Sequence, residues 1–235
     1  MIKLSLLNII IISLFVSCSL GGSNNQETKK KIDLGSKSEI IKTKNKSEIE
    51  TEKTDKQKIR DLIRNVLNWS DTKTNFDLYP VISDDLDSIY IGISEDKLKD
   101  KIKMLQNTNY FSSEFIENYN KIIQTIGKEL TDNTTNYKWF VGEMPPFNFA
   151  SDLNPWTLCQ DIPYEKPNPW DLIEIDIINL NDKKGEIIWK WGNINSESNS
   201  FWKDFSYRFN VVKENGVWKI SYLQGFDYDK IFNNK

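Results

Sequence analysis

The feature that most restricts the fold of this chain is a change in apolar period near residue 135. Before that point apolar residues recur at helical spacing, and after it they alternate with polar ones. Ile59, Leu62, Ile63, Val66 and Leu67 stand at i, i+3, i+4, i+7 and i+8 behind the capping-box pattern Thr54-Asp55-Lys56-Gln57, which predicts an amphipathic helix ending near Trp69. A second helix is predicted from Ser94, with Glu95 and Asp96 in its first turn and Leu98, Ile102 and Leu105 on one side. The third starts at Ser112 or Ser113 and carries Phe115, Tyr119, Ile122, Ile126 and Leu130 along one stripe. Beyond residue 135, residues 172–177, 187–191 and 205–211 alternate as half-buried strands do. A last strand pair is joined at Lys213-Glu214-Asn215-Gly216, where Asn-Gly supplies the positive φ of a tight hairpin turn. Helices followed by a meander predict an α+β fold, with N-terminal helices packed on one face of a curved antiparallel sheet.

Composition narrows the function. Lys+Arg 31 against Asp+Glu 34 leaves a net charge of -3, without the basic footprint of a dedicated nucleic-acid binder, so no nucleic-acid partner is expected. No stretch after residue 17 is apolar for long enough to span a bilayer. The chain has no histidine, which removes Ser/His/Asp and Cys/His triads, histidine zinc sites and a histidine base. Any catalysis would rest on carboxylates, lysine, tyrosine or one thiol. No cofactor is expected. No metal is expected either: Cys159 has no Cys or His partner, and Asp84-Asp85-Leu86-Asp87 lacks the Gly and distal Glu of a calcium loop.

Lys3 followed by the short apolar core Leu4 to Val16 reads as an export signal over residues 1–17, too short for a membrane span. Leu14-Phe15-Val16-Ser17-Cys18 resembles the lipobox of bacterial lipoproteins, with the leucine one place further back than in that motif. The resemblance implies diacylglycerol on Cys18, cleavage before it, and attachment to a membrane through acyl chains, two or more of which make an anchor stable. It also implies a place in the cell envelope, where Ser19 rather than Asp after the cysteine permits transport to an outer membrane. Residues 18–54 are rich in Lys, Glu, Ser, Thr, Asn and Gly and hold no aromatic and no Pro. Such a segment cannot bury enough apolar surface to order itself, so a disordered tether with a reach of about 30–35 Å is expected. Its Lys29-Lys30-Lys31 run is either solvated or touches anionic lipid.

Residues 55–235 then make one domain, with no repeat and no second linker. The helix order and the ending Val211-Val212-Lys213-Glu214-Asn215-Gly216-Val217-Trp218-Lys219-Ile220 resemble the closing hairpin of nuclear-transport-factor-2-like (cystatin-like, SnoaL-like) domains. The segment from Asp152 to Asp161 is similar to one in uncharacterised bacterial lipoproteins of that superfamily, where a Gln-Asp pair precedes the first long strand. The resemblance implies a cone of sheet and helices. It does not choose a function, because that superfamily holds isomerases, dehydratases and non-catalytic binding domains alike.

Two kinds of site follow. In the superfamily's enzymes an Asp moves protons inside the cone, and Asp152 and Asp161, near Trp156 and Cys159, are the candidates here. The alternative is that Gln160 and Asp161 pin the loop through backbone hydrogen bonds. Cys159 is either a reactive exported thiol or a small buried hydrophobe. Trp189 and Trp191 share one strand face, so both enter the core or both form a recognition surface for a ligand. Glu143-Met144-Pro145-Pro146-Phe147 is expected to be extended, as a lid or a crossing of the sheet edge. The reading that results is a lipid-anchored, non-catalytic binding module for a small ligand or a protein partner. The alternatives are an enzyme with a carboxylate base, isomerase- or dehydratase-like, and an immunity-type lipoprotein against a toxin.

Overall fold

The structure is a computed structural model that describes residues 39–72, 77–84, 86, 88–132, 138–163, 168–194 and 200–233. The export signal, Cys18 and the Lys29-Lys30-Lys31 run lie outside the described residues. The chain divides into two units, residues 1–43 and 44–235; of the first, only helical residues 39–43 are described.

Helix α1 spans Glu39–Thr72, so it begins well before the cap expected at Thr54 and occupies the last part of the segment expected to be a disordered tether. The physical reason is that no Gly or Pro occurs between residues 39 and 72. Once the apolar turns from Ile59 to Leu67 are packed, adding Lys and Glu residues in front of them incurs no new nucleation cost. Asp55 lies inside this helix and joins it to the far hairpin through Lys213 (2.7 Å). The two helices that follow match their sequence signals. The Ser94 hydroxyl accepts from the Lys97 N–H (3.3 Å) at the start of α2, Glu95–Thr108, which ends on Asn109 in the left-handed region. The Ser112 hydroxyl accepts from the Phe115 N–H (3.2 Å) ahead of α3, Ser113–Thr131, whose Phe115, Tyr119, Ile122, Ile123 and Ile126 are buried.

The main sheet is an antiparallel meander in the order β3 (Ile173–Leu180), β4 (Lys184–Trp191), β5 (Tyr207–Glu214) and β6 (Val217–Leu223). Register shifts at Ile177/Asn179 and Asn210/Val211 are bulges that add local twist. Asn215 and Gly216 both have positive φ (52° and 79°), the backbone that a two-residue hairpin turn requires. The segment before α3 closes the β6 edge: the Ser112 N–H donates to the Ile220 carbonyl (2.9 Å) and the Ile220 N–H to Tyr110 (2.8 Å).

A second, two-stranded sheet is not among the elements that the apolar period predicts. β1 (Val81–Asp84) pairs with β2 (Ile89–Ile93), and residues 139–141 extend this ribbon through Tyr90 N–H to Trp139 (2.9 Å) and Val141 N–H to Ser88 (2.8 Å). α3 lies between the two sheets, against β2 and β6. The fold is therefore α+β, helices packed on a four-stranded antiparallel sheet with a small second ribbon.

Candidate functional site

The segment 147–160 crosses the end of the core, and its conformation decides the fate of most candidate residues. Asn154 starts a compact turn: its Oδ1 accepts from the Trp156 N–H (3.0 Å), and its carbonyl accepts from the N–H groups of Thr157 (3.1 Å) and Leu158 (2.6 Å). Asn154 also bridges Cys159, which closes the turn. Two buried tyrosines hold the segment from below. The Tyr79 hydroxyl donates to the Phe149 carbonyl, and the Tyr207 hydroxyl donates to Pro155 (2.7 Å) while accepting from the Gly225 N–H (3.0 Å). Burial pushes both phenols upward in pKa, so both stay protonated donors. Gly225 must be glycine, since a Cβ there would meet the Pro155 carbonyl oxygen at 2.0 Å.

Held this way, Trp156 points into the core against Phe226, Trp69, Phe111 and Phe115, with ring centroids 4.6, 5.4, 5.7 and 6.3 Å away. The five residues expected to form a pocket or to hold the loop therefore separate. Trp156 and Cys159 are buried, whereas Asp152, Gln160 and Asp161 are exposed. A carboxylate base needs desolvating surroundings, and here the apolar surroundings enclose Trp156 instead. Gln160 has the pinning role: its Nε2 donates to the Asp152 carbonyl (3.0 Å) and ties the two ends of the turn. An open depression of about 290 Å³ lies beside it, lined by Ser70, Leu78, Ala150, Asp152 and Trp156.

Cys159 is a buried free thiol, 5% exposed, with its Sγ 3.5 Å from the Thr157 carbonyl. Burial pushes the thiol up to about 11, against a smaller lowering by Trp191, so it is neutral at physiological pH and no nucleophile. Of the two sequence readings, the buried hydrophobe is the one found.

Trp189 and Trp191 do share a face, and that face is the core. Their rings meet edge to face at 4.8 Å, Trp170 stacks on Trp191 at 5.8 Å, and Tyr207 stacks on Trp189 at 6.0 Å. The ligand-surface reading of this pair is corrected accordingly. Large aromatic area is worth more against other rings than in water, and one face of β4 had to be buried under the helices.

The Glu143–Phe147 segment is not simply extended. Residues 140–143 turn, with the Glu143 N–H donating to Phe140 (3.1 Å) and the Trp139 indole to the Glu143 carbonyl (3.0 Å). Phe147 and Phe149 then enter the core, so the segment covers Tyr79 and Trp139 as a fixed wall.

Two surfaces escaped the sequence reading. A polar groove of about 440 Å³ runs along residues from β3 to β6, lined by Glu114, Lys184, Glu186, Arg208 and Asn210; Arg208 Nε lies 3.3 Å from Glu186, so part of its charge is already paired. The second surface is the outer face of the ribbon. Tyr90 and Trp139 pack inward with tilted rings 4.4 Å apart, and the register shift at Ile82/Ser83 resets the alternation so that Val81 and Ile93 also pack inward. Ile82, Ile91, Phe140, Val141 and Met144 are left 43–67% exposed on adjoining segments. The β-branched run Ile89 to Ile93 was the sequence signal for this ribbon.

Among the described residues no group of three or more His, Cys, Asp or Glu could hold a metal ion, and no helix is long and apolar enough to cross a membrane. Asp85 and Asp87 of the acidic turn lie outside the described residues. No protein-family model matches the chain, no curated protein matches it, and no solved structure matches it.

Proposed function

We propose that this protein is a non-catalytic binding module of the bacterial cell envelope, tethered through acyl chains on Cys18, which presents a nuclear-transport-factor-2-like α+β body to a protein partner. The observation that carries the reading is an inversion of what a ligand-binding cone needs. The interior contains Trp156, Phe111, Phe115, Phe226 and Trp189, while Ile82, Ile91, Phe140 and Val141 of the ribbon and Met144 just beyond it are exposed. Several large apolar side chains exposed on adjoining segments are a usual mark of a protein contact. Against a proton-transfer enzyme stands the exposure of Asp152 and Asp161, and against a thiol enzyme the buried, neutral Cys159. A toxin would be one kind of partner, which keeps the immunity reading inside this proposal.

Native and intact mass spectrometry of the full chain, extracted from its own envelope in mild detergent, tests both halves. Expected are an N-terminus at Cys18 with acyl mass added, and a co-travelling protein that the Phe140→Asp variant loses. A polypeptide without acyl mass refutes the anchor. A reproducible small-molecule adduct on an otherwise bare chain refutes the protein-partner reading.

A further inference from the structure

Six of the eleven large apolar side chains left exposed among the described residues fall within residues 82–91 and 140–144. Main-chain pairing brings these two stretches to one end of the ribbon: Ile89 bridges Phe140, and the Val141 N–H donates to the Ser88 carbonyl (2.8 Å). The connection from β1 to β2 and the turn at residues 140–143 are therefore neighbours. The first carries Leu86, 95% exposed, and the second carries Phe140 and Val141, with Met144 following. Chain reversals are normally polar, and exposed apolar side chains grouped there mark a contact. The charge around them is one-sided. Asp84 stands opposite Ile89, and Ile89 opposite Phe140, so the Asp84 carboxyl and the Phe140 ring share a face of the ribbon. Glu143 closes the turn that begins at Phe140, its N–H donating to the Phe140 carbonyl (3.1 Å). Among the described residues no ion pair includes either carboxyl; Asp84 Oδ1 accepts only the neutral Leu86 N–H (2.9 Å). The lysines of the ribbon stand away from this end. Lys97 Nζ is on the Val81 carbonyl (3.1 Å) at the opposite end, and Lys138 is two residues further from the turn than Phe140.

The geometry points to this end of the ribbon as the docking site for a partner-protein segment that is apolar at its centre and flanked by Lys or Arg. The inference rests on the protein contact proposed above and adds the chemistry of the partner. The apolar centre covers Phe140, Val141 and Met144, as the dry middle of an interface does, and the basic flanks meet Asp84 and Glu143 at its rim. Neutral flanks leave both carboxyls without that gain, and acidic flanks are repelled. The same two carboxyls disfavour a bilayer surface that carries anionic headgroups.

Amide chemical shifts of the isotope-labelled full chain test the assignment. The chain is titrated with acetylated Lys-Lys-Leu-Phe-Leu-Lys-Lys and with counterparts that have Gln or Glu in place of every Lys. The lysine peptide should shift the amides of Ile82, Ile91, Val141 and Met144. It should bind about two- to thirtyfold more tightly than the Gln peptide, the range that two exposed ion pairs supply, and the Glu peptide should bind most weakly. Raising salt from about 50 mM to about 500 mM should bring that ratio toward one. The Asp84→Asn, Glu143→Gln double variant should bind the lysine and Gln peptides alike, with unchanged β3 to β6 shifts certifying its fold. A ratio below about twofold in the unaltered chain, or a tighter Glu peptide, overturns the basic partner and leaves the ribbon contact standing. No ribbon shift with any of the three peptides overturns both. Phosphatidylcholine vesicles that reproduce the shifts without peptide would name a lipid surface instead, and shifts that appear on concentrating the chain alone would name a second copy; either result overturns the assignment.

Discussion

Removing a single oxygen tests the account of the 147–160 segment. Tyr207 is fully buried, and its hydroxyl serves two backbone groups at once, the Pro155 carbonyl as donor (2.7 Å) and the Gly225 N–H as acceptor (3.0 Å). Tyr207→Phe keeps the ring and its contacts with Trp189 and Phe209 but leaves both backbone groups without that partner. An orphaned buried polar group costs about 1–3 kcal/mol, so the pair should cost about 2–6 kcal/mol. For a unit of this size that is a fall in Tm of about 4–24 °C. Tyr119→Phe is a companion case: its hydroxyl donates to the Leu78 carbonyl (3.0 Å), and removing that bond should cost about 1–3 kcal/mol. Urea denaturation measures both variants, with an unchanged m value showing that the native surface is intact. The Cys159 thiol reports independently: in Tyr207→Phe it should react faster with a disulfide reagent, since the turn that buries it is no longer pinned. A Tyr207→Phe cost below about 0.5 kcal/mol would refute the pinning argument.

Three further outcomes follow from the same geometry. The hydrogen bond from Lys213 to Asp55 holds that carboxyl below its usual pKa, against an opposing push from burial and with further help from Trp218, so its stabilisation is complete above about pH 4 and is lost as pH falls through the lower folded value. Asp55→Asn should therefore be less stable than the unaltered chain at pH 7, and the two denaturation curves should converge in acid; a gap that persists at low pH would mean the loss is not electrostatic. Gly225→Ala places a methyl 2.0 Å from the Pro155 oxygen, and thermal melting should show a loss of at least about 1–3 kcal/mol. Cys159 should resist alkylation at pH 7 in the native state and react at once in denaturant, as mass spectrometry of the treated protein would show.

What the sequence by itself determined is what short-range rules govern. Ser94 and Ser112 mark their helix starts because a hydroxyl capping an N–H three residues on is a local event. Asn215-Gly216 fixes the last hairpin because few residues accept its dihedrals, and the period-two pattern places Trp189 and Trp191 together because a strand pleat leaves no other choice. Tertiary structure decided the rest. Which face of β4 turns inward depends on where partners distant in sequence such as Trp170 lie, and no pattern along β4 carries that. Asp152, Trp156, Cys159, Gln160 and Asp161 are neighbours along the chain, yet Tyr207, Tyr79 and Gly225, distant in sequence, drive Trp156 and Cys159 inward and leave the two carboxylates in water. The start of α1 likewise follows from helix already nucleated at Ile59 to Leu67, a cooperative effect that composition between residues 39 and 54 does not reveal. Local signals name the elements; the direction in which each side chain finds its partners is a property of the assembled core.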